Sequence, residues 1–177
     1  MLGVGNSPKG GRHIGLPLHL LILVFWYGRN YKRMAEVSIV KEAIDGAVLE
    51  AKVSADTNGA VCSFNGQVRR TSRGRDVAYL EYDAYVPMAE KMLRRIAEEA
   101  EMRWGCQVVI QHRIGRIALG ECSVFVAVGS PHRVEAFAAC RHCIDTLKET
   151  VPIWKREVCP DGSYWIEGEE AIEGSKE

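Results

Sequence analysis

Hydrophobic positions along the chain fall into two periods. Val37 to Val40 and Ala60 to Phe64 read as short strands, the second buried, with a short helix over Ile44 to Lys52 between them. Asp56 to Gly59 is a turn signal. Thr71 to Asp76 is polar and Gly-containing, and reads as a mobile loop. Val77 to Tyr85 is rich in aromatic and aliphatic residues, a strand pattern. Pro87 then suits the first turn of a helix. Met88, Met92, Leu93, Ile96, Ala97, Ala100 and Trp104 make one apolar stripe on it, and Gly105 is its stop. Val108 to His112 and Cys122 to Val128 are further strands, joined by a Gly-containing turn region. In the next helix Ser130 is the expected cap, Pro131 the first position, and Val134, Phe137, Ala138, Ile144 and Leu147 the buried face. Pro152 ends it. Ile153 to Cys159 and Ser163 to Ile166 pair as a hairpin around Pro160 to Gly162. The order β-β-α-β-β-α-β-β predicts an α+β fold with a mixed or antiparallel sheet and two main packed helices.

The ends of the chain stand apart. Residues 1–13 are Gly-rich and polar, and Leu16 to Tyr27 is an apolar run broken by Pro17 and His19. That run is shorter than the roughly 20 residues a membrane-spanning helix needs. Residues 1–33 are therefore expected to be an extension, disordered or used in targeting, and Met34 is a candidate start. Residues 34–167 are expected to form one domain, and 168–177 an acidic tail.

Composition narrows the function. The chain has 177 residues, 47% of them hydrophobic and 26% charged, so it can bury a core. Basic and acidic residues balance at 23 each. Such a balance argues against a general nucleic-acid binder, so any anion site must be local. The six cysteines lie mostly in apolar or helical contexts, as reduced thiols in a reducing compartment would. Cys140 and Cys143 form a C-x-x-C. It has no second pair for zinc and falls mid-helix, away from the N-terminus that would stabilise a thiolate, so a structural role is expected.

Two groups of residues can do chemistry. Ser130 to Arg133 lies at an expected helix N-terminus, where free N–H groups favour an anion and Arg133 can grip a phosphate. An ordinary cap with two solvated side chains explains it about as well. Lys148 lies in the last turn of the same helix, and Lys155 follows Trp154 in the next strand. Alone, these lysines would only complement the helix dipole, and a lone Arg69 would be solvated. A straight helix separates His132 from Lys148 by about 24 Å. One chain cannot bring both to one small pocket unless the helix breaks. Either they serve different sites, or a symmetric dimer unites opposite helix ends.

Taken as an ordered set, several segments resemble the large, catalytic subunit of molybdopterin synthase. They are Gly59-Ala-Val-Cys-Ser-Phe-Asn-Gly-Gln-Val-Arg69, Leu80-Glu-Tyr-Asp-Ala-Tyr85 with Met88-Ala-Glu-Lys91, His112-Arg-Ile-Gly115, Ser130-Pro-His-Arg133, and Leu147-Lys148 through Pro152-Ile-Trp-Lys-Arg-Glu157. The resemblance runs from about residue 37 to 167. It implies an α/β-hammerhead-like fold and a cytosolic sulfurtransferase of molybdenum cofactor biosynthesis. The implied reaction converts cyclic pyranopterin monophosphate to molybdopterin by inserting two sulfurs as a dithiolene. The implied partner is a small ubiquitin-like subunit whose Gly-Gly end carries sulfur as a thiocarboxylate, in a heterotetramer around a dimer of large subunits. No metal or organic cofactor is implied, because the partner brings the sulfur. By position, Arg69, His132, Arg133, Lys148, Lys155, Arg156 and Glu157 match substrate-binding or catalytic residues, with Lys148 and then Lys155 as the catalytic choices. Gln67 departs from the family pattern, being basic in some relatives. So does the acidic stretch after Trp165, where some members carry an Arg that binds substrate across the dimer. Two other readings remain: a sulfurtransferase using a cysteine persulfide at Cys140–Cys143, and a non-catalytic anion-binding scaffold.

Overall fold

The computed structural model describes residues 35–160 and 162–166. The apolar run at 16–27, the candidate start at Met34, Asp161 and the acidic tail lie outside the described residues. Among the described residues no helix is long and apolar enough to cross a membrane.

In chain order the elements are β1 (Glu36–Val40), α1 (Gly46–Val53), β2 (Ala60–Gln67), β3 (Thr71–Ser72), β4 (Arg75–Asp76), β5 (Tyr79–Ala84), α2 (Val86–Trp104), β6 (Gln107–Arg113), β7 (Gly115–Ala118), β8 (Cys122–Ser130), α3 (Arg133–Thr150), β9 (Ile153–Cys159) and β10 (Gly162–Ile166). The expected α+β character is present, built on two four-stranded sheets and a small hairpin. The first sheet has the order β1-β6-β8-β2 and the second β10-β9-β5-β7. In the first, β1 and β6 run parallel and the other pairs antiparallel, so that sheet is mixed.

Strand alternation divides the core. Val124, Val126 and Val128 of β8 pack with Leu93, Ala97 and Ala100 of α2 and Ala139, Cys143 and Leu147 of α3. Phe125 and Ala127, pointing the other way, meet Leu49 and Val53 of α1. Covering both faces explains the unbroken apolar run of β8. It also explains Gly129: a Cβ there would stand 2.0 Å from Val53 O and 2.6 Å from Asn58 Nδ2. Asp45 caps α1 by accepting from the N–H groups of Ala47 and Val48 at 3.0 and 3.3 Å. Gly105 ends α2 in the left-handed conformation at φ 60°.

Several expectations need correction. Ser130 does not cap α3. It is the last residue of β8, held there by pairing with Ala60, and His132 is the N-cap without a side-chain capping bond. The buried face of α3 is Ala136, Ala139, Cys140, Cys143, Ile144 and Leu147, whereas Val134 and Phe137 are 66% and 64% exposed. At 100° per residue, Val134 lies opposite Cys143, so a stripe read from Val134 starts on the wrong side. Strand β2 is not fully buried. It forms the edge of its sheet and alternates half-buried with exposed positions. Thr71 to Asp76 is not a loop but the β3–β4 hairpin. Its turn residues Arg73 and Gly74 both have positive φ, at 49° and 74°, which matches the right-handed twist of paired strands. The turn region after His112 contains β7, which pairs with β5.

Candidate functional site

The two sheets and the end of α3 enclose a cavity of roughly 310 Å³. Strand β2 supplies Phe64 and Gln67, β6 supplies His112, and the segment after β2 supplies Arg69. Lys148 enters from the last turn of α3, and Lys155 and Glu157 from β9. Tyr82 and Leu80 of β5 form part of the apolar wall.

Strand β9 sorts its own residues. Lys155 and Glu157 are two apart, so both face the cavity. Arg156 faces the other way and forms an ion pair with Glu81 of the neighbouring strand. Trp154, on that same outer side, is 46% exposed. Arg69, Lys148, Lys155 and Glu157 are thus brought together, and Arg156 is not among them. His132 and Arg133 are exposed at the opposite end of α3, an 18-residue helix. The separation of about 24 Å expected for a straight helix therefore stands.

The charges are arranged unequally. Glu157 is 2% exposed, accepts a hydrogen bond from Ser72 Oγ at 2.9 Å, and lies 3.6 Å from Lys155 Nζ through the same carboxylate oxygen, Oε1. A buried carboxylate needs such partners. The Lys148 ammonium stands 6.0 Å from the centroid of the Phe64 ring, within reach of its negative face. Arg69, Lys148 and Lys155 therefore give the cavity a cationic lining whose chemistry suits an anionic group, while the apolar wall suits a flat ring.

Among the cavity residues that had no assigned role from sequence are Ser72, Tyr82 and His112. His112 belonged to a recognised segment but had no role. It is 4% exposed, and its ring meets Tyr82 edge-on with centroids 5.1 Å apart. Burial pushes its pKa down to about 4 against the opposing effect of the Arg113 carbonyl. That carbonyl, 2.9 Å from Nδ1, can only accept, so the neutral ring carries its proton on Nδ1. Alternation in β6 was the signal that could have placed His112. Ser72 gave none, because its segment read as a loop.

The cysteines are free thiols. Burial pushes Cys140 up to about 12, with Cys62 adding to the rise, and it raises Cys143 further. Neither is a poised nucleophile. Among the described residues no group of three His, Cys, Asp or Glu side chains is placed to hold a metal ion.

Comparison with known proteins is specific. The family model described as "MoaE protein" matches residues 39–150. The molybdopterin synthase catalytic subunit of Nostoc sp. is 50% identical over 121 residues, covering 67% of this chain and 73% of that protein. The crystal structure of molybdopterin synthase from Staphylococcus aureus superposes with a TM-score of 0.71 at 41% identity, over 76% of this chain and 98% of that one. A complex of subunits 1 and 2 of molybdopterin-converting factor from Helicobacter pylori gives a TM-score of 0.62 over 78% of this chain and 92% of that one. At 22% identity it is a likeness of fold.

Proposed function

The chain belongs to the MoaE family and serves molybdopterin biosynthesis, and we propose that it is the catalytic subunit that moves sulfur from a carrier protein onto a pterin. The donor is the C-terminal thiocarboxylate of a small ubiquitin-like partner ending in Gly-Gly. The acceptor is cyclic pyranopterin monophosphate, and the product is its dithiolene. The supporting observation is the convergence of Arg69, Lys148 and Lys155, from separate elements, on one cavity beside the buried Glu157. A thiocarboxylate and a cyclic phosphate are both anions, so the cations serve both. When the thiocarboxylate carbonyl is attacked, negative charge grows on its oxygen. An ammonium held nearby at low dielectric stabilises that charge. Lys148, at a helix end open to the incoming tail, is the first choice for this role or for direct acid–base or acyl-acceptor chemistry. Lys155, aimed by Glu157, is the second.

His132 and Arg133 enter through a second copy of the chain. A two-fold dimer sets the start of one α3 beside the end of the other, so each site draws on two chains. The exposed Val134 and Phe137 beside His132 give that contact an apolar centre. With one carrier per chain the assembly is a heterotetramer working in the cytosol. The Helicobacter pylori protein, similar in fold, is itself seen in a complex of two converting-factor subunits.

The test mixes the chain with thiocarboxylated carrier and the pterin precursor and follows dithiolene formation. Lys148→Ala should abolish product while pterin binding persists. Undiminished turnover in that variant refutes the assignment, and full activity from a monomer by light scattering refutes the two-chain site.

A further inference from the structure

The β3–β4 hairpin carries one buried side chain, Ser72, which is 6% exposed while Thr71, Arg73, Arg75 and Asp76 face outward. The hairpin is tied down on the side of β9. The Val77 N–H donates to Arg70 O at 2.7 Å, closing its base, and the Ala78 N–H donates to Val158 O at 2.8 Å. These bonds fix the depth at which Ser72 enters. Its hydroxyl ends 2.9 Å from Glu157 Oε1, the oxygen that also faces Lys155 Nζ at 3.6 Å. A carboxylate on a strand can rotate about its last torsion, which is broad and two-fold. A donor from a separate, anchored element removes that freedom.

We propose that Ser72 is a positioning residue of the sulfur-transfer site: by donating to Glu157 Oε1 it fixes the carboxylate that aims the Lys155 ammonium into the cavity. Glu157 and Ser72 therefore act through Lys155, not on substrate. This rests on the reading of Lys155 as a reactive-site cation, and it adds a segment of the chain to which no family motif pointed. A hydrogen bond to a charged group is worth about 1.5–3 kcal/mol, so its loss corresponds to a ten- to hundredfold effect where it is fully expressed.

The experiment uses the full chain with its carrier. Ser72→Ala should lower kcat about ten- to hundredfold while KM for the carrier stays within about twofold, and Ser72→Thr, which keeps the hydroxyl, should restore most of it. In a double-mutant cycle with Glu157→Gln the two losses should not add, because Ser72 acts only by orienting the Glu157 charge that the second change removes. A second measurement is independent of turnover. Amine acylation by an N-hydroxysuccinimide ester, read by peptide mass, should label Lys155 several-fold faster in Ser72→Ala than in the parent, with Lys148 labelling unchanged. Equal Lys155 labelling in the two proteins overturns the proposal whether or not dithiolene is made. Additive losses, or parental kcat in Ser72→Ala, overturn it as well. A parent chain that makes no dithiolene instead sinks the functional reading, and the labelling result still decides the role of Ser72 in holding Lys155.

Discussion

Replacing His112 with Phe should change how stability depends on acidity, and the size of the change follows from its burial. The imidazole is 4% exposed and its pKa is held down to about 4 from 6.5. In the unfolded chain the ring takes up a proton as pH falls through 6.5, whereas in the folded chain it does so only near 4. Between those values the unfolded state binds more protons, so the stability present above pH 6.5 is lost as pH falls toward 4. At about 1.36 kcal/mol per pKa unit the complete loss is about 3 kcal/mol, and about 2.5 kcal/mol of it is reached by pH 4.5. Arg69, Lys148, Lys155 and Glu157 line the same cavity. Phe keeps a ring against Tyr82 but cannot titrate. Its lost bond to the Arg113 carbonyl costs about 1–3 kcal/mol at every pH. Urea unfolding of both proteins at pH 7 and pH 4.5 separates the two effects. The parent should lose about 2.5 kcal/mol more than His112→Phe across that interval. Parallel losses in the two proteins would show that His112 is not the buried neutral group described here.

Three further outcomes are expected. Glu101 is held up to about 7 by burial, despite accepting the Val108 N–H at 2.9 Å. The folded state keeps its proton longer, so its stability falls as pH rises from about 4.5 to 7. Glu101→Gln should therefore raise stability by about 1 kcal/mol at pH 8, discounted for partial exposure, with little effect at pH 4, as read by thermal melts. Gly129→Ala should cost about 3 kcal/mol or more in urea titration, because the new methyl meets backbone at Val53 rather than a side chain able to move aside. Cys140→Ala should leave sulfur transfer within about twofold of the parent, since a thiol pushed up to about 12 offers too little thiolate; loss of turnover with the protein still folded would favour a persulfide route.

Legibility in the sequence followed the strength of the local period. The α2 stripe was readable from Met92 onward because burial repeats at a helical spacing there, although Met88 is exposed, and β8 was readable as a strand because its apolar run is unbroken. Within Lys155 to Glu157, strand period alone separates the inward Lys155 and Glu157 from the outward Arg156. The family motif covers all three and does not make that distinction. Long-range decisions were not readable. Ser130 has the chemistry of a cap, yet pairing with Ala60 kept it in β8. Thr71 to Asp76 has the composition of a loop. Its hairpin depends on two left-handed turn residues and on Ser72 meeting Glu157, a partner 85 residues away along the chain. Val134 and Phe137 read as core because they are apolar, and a monomer leaves them without cover.

The length of α3 has a genetic corollary. With His132 and Arg133 at one end of the helix and Lys148 at the other, a lesion at each end damages a different half of the proposed two-chain site. An Arg133→Ala chain and a Lys148→Ala chain would each be inactive alone. Mixed in equal amounts, half of the dimers would be hybrids, and each hybrid would hold one site built entirely from undamaged halves, so about a quarter of the parental sites would return. Two null alleles of this one gene would thus complement each other in the same cell, whereas two lesions at the same helix end would not.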